Sequence, residues 1–174
     1  MSERIFINPG GIYFGRGDLN IETLLGSCVA IVFWHPQQRL GGLCHFVLPA
    51  RLRAPLAGQP PLDGRYGEEA VRQILRDIKR HGTDVRDYTV KVFGGGRVLD
   101  LPESDERVGQ INARFALEIL KRQNIEVKAR DIAGEGYRYL RFDLSTGDVW
   151  VRRGHGVMKE TQIMHDAVAT RDIL

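Results

Sequence analysis

The chain has 174 residues, a length that suits one domain built around one hydrophobic core. Hydrophobic residues at 43% and charged residues at 27% exclude a disordered or fibrous chain. The 25 Lys and Arg against 22 Asp and Glu leave +3, too weak and dispersed a field to indicate a nucleic-acid-binding face.

Short apolar runs dominate the first fifty residues. Residues 4–8 and 12–14 read as strands parted by Pro9-Gly10-Gly11, and residues 21–25 as a strand running into Gly26-Ser27. Residues 28–34, Cys-Val-Ala-Ile-Val-Phe-Trp, read as a strand buried on both faces. A turn at His35-Pro36-Gln37-Gln38 leads to a return strand at 43–48. Residues 51–64 carry three prolines and two glycines without periodicity, which predicts either a functional loop or a mobile flap. A helix follows, with Glu68 and Glu69 near its start, Val71, Ile74, Leu75 and Ile78 on one face, and Gly82 after its end.

Residues 88–93 predict a strand feeding Gly94-Gly95-Gly96, which reads as a rigid turn bordering a cleft. The second helix spans about 104–123, with Val108, Ile111, Phe115 and Ile119 expected to face the core. Alternating runs at 125–132, 137–144 and 149–152 complete the strands, the last two joined by a hairpin at Ser145-Thr146-Gly147-Asp148. The tail from Gly154 to Leu174 is expected to lie at the periphery of a single domain over 1–174 and to carry one short helix. Two helices among many strands indicate an α+β fold with stacked mixed β-sheets and flanking helices. No stretch is long and apolar enough to span a membrane, and no signal-peptide core opens the chain. Two cysteines outside any Cys-x-x-Cys pair suit a reduced, cytoplasmic protein.

Cys28 and His45 are the pair with chemical potential. A hairpin centred between Pro36 and Gln37 sets them directly opposite, on one face, with Cys44 on the other. An imidazole beside a thiol can take its proton, and an imidazolium neighbour lowers a thiol pKa from about 8.5 to roughly 3.5–7.5, the behaviour expected of Cys28. The competing reading makes Cys28 a small core residue and His45 a structural one. A zinc set of Cys28, Cys44, His35 and His45 lacks the usual spacings, and no metal is expected.

The strings Thr23-Leu24-Leu25-Gly26-Ser27-Cys28-Val29-Ala30 and Gly41-Gly42-Leu43-Cys44-His45-Phe46-Val47-Leu48-Pro49 closely resemble the CheD family of chemoreceptor glutamine deamidases. The likeness continues through Lys91 to Gly96, Val108 to Asn112 and Arg138 to Phe142. The resemblance implies a fold similar to bacterial toxin deamidases, with Cys28 as nucleophile, His45 as base and no cofactor. It implies hydrolysis of selected glutamine side chains on the cytoplasmic domains of methyl-accepting chemoreceptors, with methyl esters as a second substrate class and a CheC-type phosphatase as partner in some bacteria. The mechanism that the resemblance implies needs an oxyanion site, and backbone groups near Gly26 and Ser27 are the expected donors. Thr23 matches the family residue that orients the imidazole, but the adjacent Glu22 stands where some members carry it, so both are candidates. Ala133, before Gly134, departs from a family preference for Gly-Gly. A non-catalytic adaptor on the same fold is the alternative function.

Overall fold

The computed structural model describes residues 2–53, 61–98 and 103–155. In chain order the elements are β1 (Glu3–Phe6), β2 (Ile12–Arg16), β3 (Leu19–Leu25), β4 (Val29–His35), β5 (Leu40–Phe46), α1 (Gly67–Arg80), β6 (Thr89–Gly94), α2 (Glu103–Arg122), β7 (Val127–Ile132), β8 (Tyr137–Asp143) and β9 (Val149–Gly154). The expected tail helix, and residues 54–60 of the Pro/Gly loop, fall outside the described residues.

The strands form two sheets, one ordered β1-β3-β8-β9 and the other β2-β5-β4-β6-β7. Both are mixed, because β1 runs parallel to β3 and β6 parallel to β7 while the other pairs are antiparallel. Alternation along β4 explains the layering. Ala30 and Val32 join Ile21, Leu25, Leu43, Leu140 and Phe142 in an apolar layer between the sheets. Val29, Ile31 and Phe33 face the other way, onto Val71, Ile74 and Ile78 of α1 and Ala116, Ile119 and Leu120 of α2. A strand sandwiched between a second sheet and a helical layer must be apolar on both faces, as β4 is. The stacked α+β architecture is the expected one.

Helix α1 keeps its expected limits. Glu68 and Glu69 sit in its first turn, Lys79 and Arg80 in its last, and Gly82 beyond it takes φ +71°. Glu69 also ties both described ends of the Pro/Gly loop, accepting from Arg51 Nε at 2.7 Å and from the Asp63 N–H at 3.2 Å.

Helix α2 keeps part of its expected face. Ile119 is buried and Phe115 packs against the core, but Ile111 is 54% exposed, and Asn112, Ala113, Ala116 and Leu120 complete the buried side. The contact with the Gly94-Gly95-Gly96 turn sets this rotation. Gly94 and Gly95 hold φ +106° and +66°, and a Cβ on Gly95 would lie 2.6 Å from the Gly109 carbonyl oxygen. The helix thus presents its glycine to the turn, and Ile111 rolls toward water.

The β4–β5 hairpin also differs from its expected register. His35 pairs with Leu40 across four turn residues, so His45 faces Ala30 and not Cys28. The cause is Arg39, which adopts φ +47° and lengthens the turn without the glycine or asparagine that usually marks such a position. Gly41 and Gly42 host no bulge; they admit the neighbouring strands, since a Cβ on Gly42 would collide with the Tyr13 carbonyl of β2. A shift of two residues preserves which face each side chain takes. Among the described residues, no helix is long and apolar enough to cross a membrane.

Candidate active site

His45 is held from three directions. Its N–H donates to the Gly11 carbonyl at 3.1 Å, and its carbonyl accepts from the Gly10 N–H at 2.8 Å. The ring enters the inter-sheet layer and meets Thr23 of the opposite sheet, with Nδ1 2.7 Å from Oγ1. Thr23 in turn donates its hydroxyl proton to the Ile7 carbonyl at 2.6 Å. A hydroxyl has one proton, so Thr23 must accept at the ring, and Nδ1 carries the hydrogen. Nε2 is then the basic nitrogen. It is buried and has no hydrogen-bond partner among the described residues. Burial lowers the His45 pKa from 6.5 to about 4, opposed in part by the Ile7 carbonyl, so the imidazole is neutral.

Thr23 and Glu22 are separated by the alternation of β3. Thr23 points between the sheets, whereas Glu22 lies on the far face, where it pairs with Arg4 and accepts from the Tyr139 hydroxyl at 2.6 Å. Thr23 alone reaches the ring.

Cys28 sits half-buried in the short connection from β3 to β4, and Cys44 is fully buried behind β5. Cys28 packs against the inter-sheet layer together with Ala30, the direct partner of His45, and so lies on the same side of the sheet as the imidazole. All three carbonyls of its loop are captured by the scaffold. Gly26 O accepts from the Gly96 N–H at 2.9 Å, Cys28 O from the Gly95 N–H at 2.8 Å, and Ser27 O from Asn112 Nδ2 at 3.0 Å. The glycine turn is therefore the clamp on this loop.

The thiol does not behave as expected from the sequence. Burial pushes Cys28 up to about 11, tempered slightly by its own N–H, and Cys44 up to about 12. With His45 neutral, no imidazolium stands beside the sulfur to lower it. At rest the proton stays on Cys28.

Asn112 is a residue that apolar spacing does not reveal, because an amide adds nothing to the stripe of Ile111 and Phe115, although it closes the Val108–Asn112 run that resembles the CheD family. Arg138 opens the Arg138–Phe142 run of that resemblance; it is fully buried, pairs with Asp131 at 3.2 Å and caps the Ala133 carbonyl.

Residues 47–153 match the family model described as CheD chemotactic sensory transduction. The chain belongs to the CheD family. The matched segment begins just after His45, so Thr23, Cys28 and His45 rest on their geometry. A Pseudomonas fluorescens SBW25 protein named "Probable chemoreceptor glutamine deamidase CheD" is 46% identical over 153 residues, 85% of this chain and 83% of the relative. A relative of the same name in Pseudomonas syringae pv. tomato DC3000 and a Dechloromonas aromatica RCB protein named "Probable chemoreceptor glutamine deamidase CheD 3" are 43% and 38% identical. These alignments cover 85% and 92% of this chain, and 88% and 94% of the relatives.

Proposed function

We propose that this protein hydrolyses glutamine side chains of chemoreceptor cytoplasmic domains to glutamate, with Cys28 as nucleophile, His45 as general base and acid, and Thr23 as the group that orients the imidazole. The observation carrying the site assignment is the ring of His45, its Nδ1 committed to Thr23 and its Nε2 unpaired on the face of Cys28. The names of the CheD relatives supply the substrate class.

The steps follow from the protonation states. As the Cys28 sulfur attacks the carboxamide carbon, its proton passes to His45 Nε2 and the carbonyl oxygen becomes an oxyanion. The N–H groups of Ser27 and Cys28 receive that charge, and Gly26 contributes by anchoring its carbonyl to Gly96. His45 then gives its proton to the amide nitrogen, the C–N bond breaks, and ammonia leaves a thioester. An imidazolium whose pKa is depressed to about 4 is a strong acid for this step. Water attacks the thioester, surrendering a proton to Nε2. The sulfur departs and recovers that proton, leaving glutamate.

Incubation with a purified receptor cytoplasmic fragment tests the reading. The wild type should release ammonia and convert specific glutamines to glutamate by peptide mass spectrometry, and Cys28→Ala should do neither. Binding without conversion would support the adaptor instead. The described ends of the Pro/Gly loop meet at Glu69, and the loop follows the His45 strand in sequence, which supports a preference for glutamine on folded receptor over the free amino acid. A CheC-type phosphatase is a proposed partner, read out by co-purification, and the cytoplasm is the proposed location.

A further inference from the structure

Asn112 occupies the buried face of α2 beside Ala113 and Ala116, where an apolar side chain would pack without desolvating an amide. Its Nδ2 donates to two carbonyls, Ser27 O at 3.0 Å and Val47 O at 2.8 Å. Two acceptors fix the amide orientation, since an oxygen placed there would be repelled by both. One side chain thus ties the loop that bears Cys28 to the segment two residues past His45.

We propose that Asn112 is a positioning residue that aims the oxyanion-binding N–H of Cys28. The inference rests on the deamidase reading for the role of that N–H. In a trans peptide the carbonyl of one residue and the N–H of the next point in opposite directions. Holding Ser27 O toward α2 therefore turns the Cys28 N–H away from the helix. That N–H belongs to the same residue as the attacking sulfur, and in the deamidase reading it is the donor that meets the substrate oxygen as charge develops there. The Gly96 N–H acts likewise on the preceding peptide, holding Gly26 O and turning the Ser27 N–H. Because the oxyanion exists only in the transition state and intermediate, the strap acts on turnover and not on substrate binding.

Steady-state deamidation is measured for the wild type, Asn112→Ala, Asn112→Asp and the control Ala116→Gly, with a thermal midpoint for each. Removing one oxyanion donor lowers kcat by about 10²–10³, so misaiming one should lower it about 10- to 100-fold, with KM within about twofold. Ala116→Gly weakens the same helix but leaves the strap, and its kcat should stay near the wild type. A kcat loss no larger than that of Ala116→Gly, or a loss carried by KM, overturns the proposal. Asn112→Asp keeps the side-chain size should the alanine variant fail to fold; failure of both makes Asn112 a core anchor and also overturns it. A second readout, the iodoacetamide alkylation rate of Cys28, stands apart from deamidation. Release of the loop should expose the sulfur and raise that rate at least about fivefold in Asn112→Ala and not in Ala116→Gly. An unchanged rate counts against the strap even where an inactive wild type has already refuted the deamidase reading.

Discussion

Thr23→Val removes one oxygen and replaces it with a methyl group of the same shape. In the structure that oxygen relays two contacts, 2.7 Å to His45 Nδ1 and 2.6 Å to the Ile7 carbonyl. Its loss strips the hydroxyl partner from a ring donor in a fully buried layer, at about 1–3 kcal/mol for an unsatisfied group. The same loss weakens the bias that keeps hydrogen on Nδ1 and leaves Nε2 basic. At about 1.36 kcal/mol per decade, removing 1–3 kcal/mol of bias corresponds to roughly 5- to 150-fold in turnover. Thr23→Ser keeps the hydroxyl and should retain most activity, and Glu22→Gln, on the far face of β3, should be close to neutral. Receptor-fragment deamidation gives kcat, and nitrogen-15 shifts of the His45 ring report the tautomer directly. Wild-type turnover in Thr23→Val, or an equal loss in Glu22→Gln, refutes the relay.

Three further predictions follow from the same geometry. Cys28 should alkylate ahead of Cys44, and its rate should keep climbing with pH toward about 11; a plateau below pH 8 would show a thiolate already formed at rest. His45 is held at about 4 against an ordinary 6.5, so the unfolded chain takes up a proton that the folded chain refuses. Stability should be full above pH 6.5 and fall by up to roughly 3 kcal/mol as the pH drops toward 4, a slope that His45→Gln should flatten in denaturant titrations. Ala133 holds φ +60°, a conformation that disfavours a side chain by about 1 kcal/mol, so Ala133→Gly should raise the thermal midpoint; an unchanged or lower midpoint would show the strain is absent.

Alternation made the faces of the site legible before its distances. The opposite orientations of Cys44 and His45 on β5 follow from parity alone, and parity survived the longer turn at Arg39. The choice between Thr23 and Glu22 was not legible, because it depends on which face of β3 meets the second sheet, and that is decided by docking and not by local pattern. The thiol pKa was misjudged for a related reason. A two-residue motif predicts an imidazolium neighbour, but the layer that surrounds His45 keeps it neutral. Asn112 is legible only as the end of the Val108–Asn112 run that resembles the CheD family, because an apolar stripe says nothing of an amide, and the close contact of Gly109 with Gly95 turns the helix so that this amide lies inside and Ile111 outside.

The bond between Thr23 and His45 crosses from one sheet to the other, and in the proposed mechanism this makes the gap between the sheets a catalytic dimension. Packed sheets stand about 10 Å apart, held at that interval by whatever side chains fill the space. Here the spacers are Ile21, Leu43, Leu140 and Phe142, none of which touches a substrate in the mechanism. A hydrogen bond loses its grip over a few tenths of an ångström, less than one methylene added to or removed from that filling would impose. The hydrocarbon between the sheets is thus the gauge block against which the imidazole is set, and in the proposed reaction its thickness counts as much as the sulfur itself.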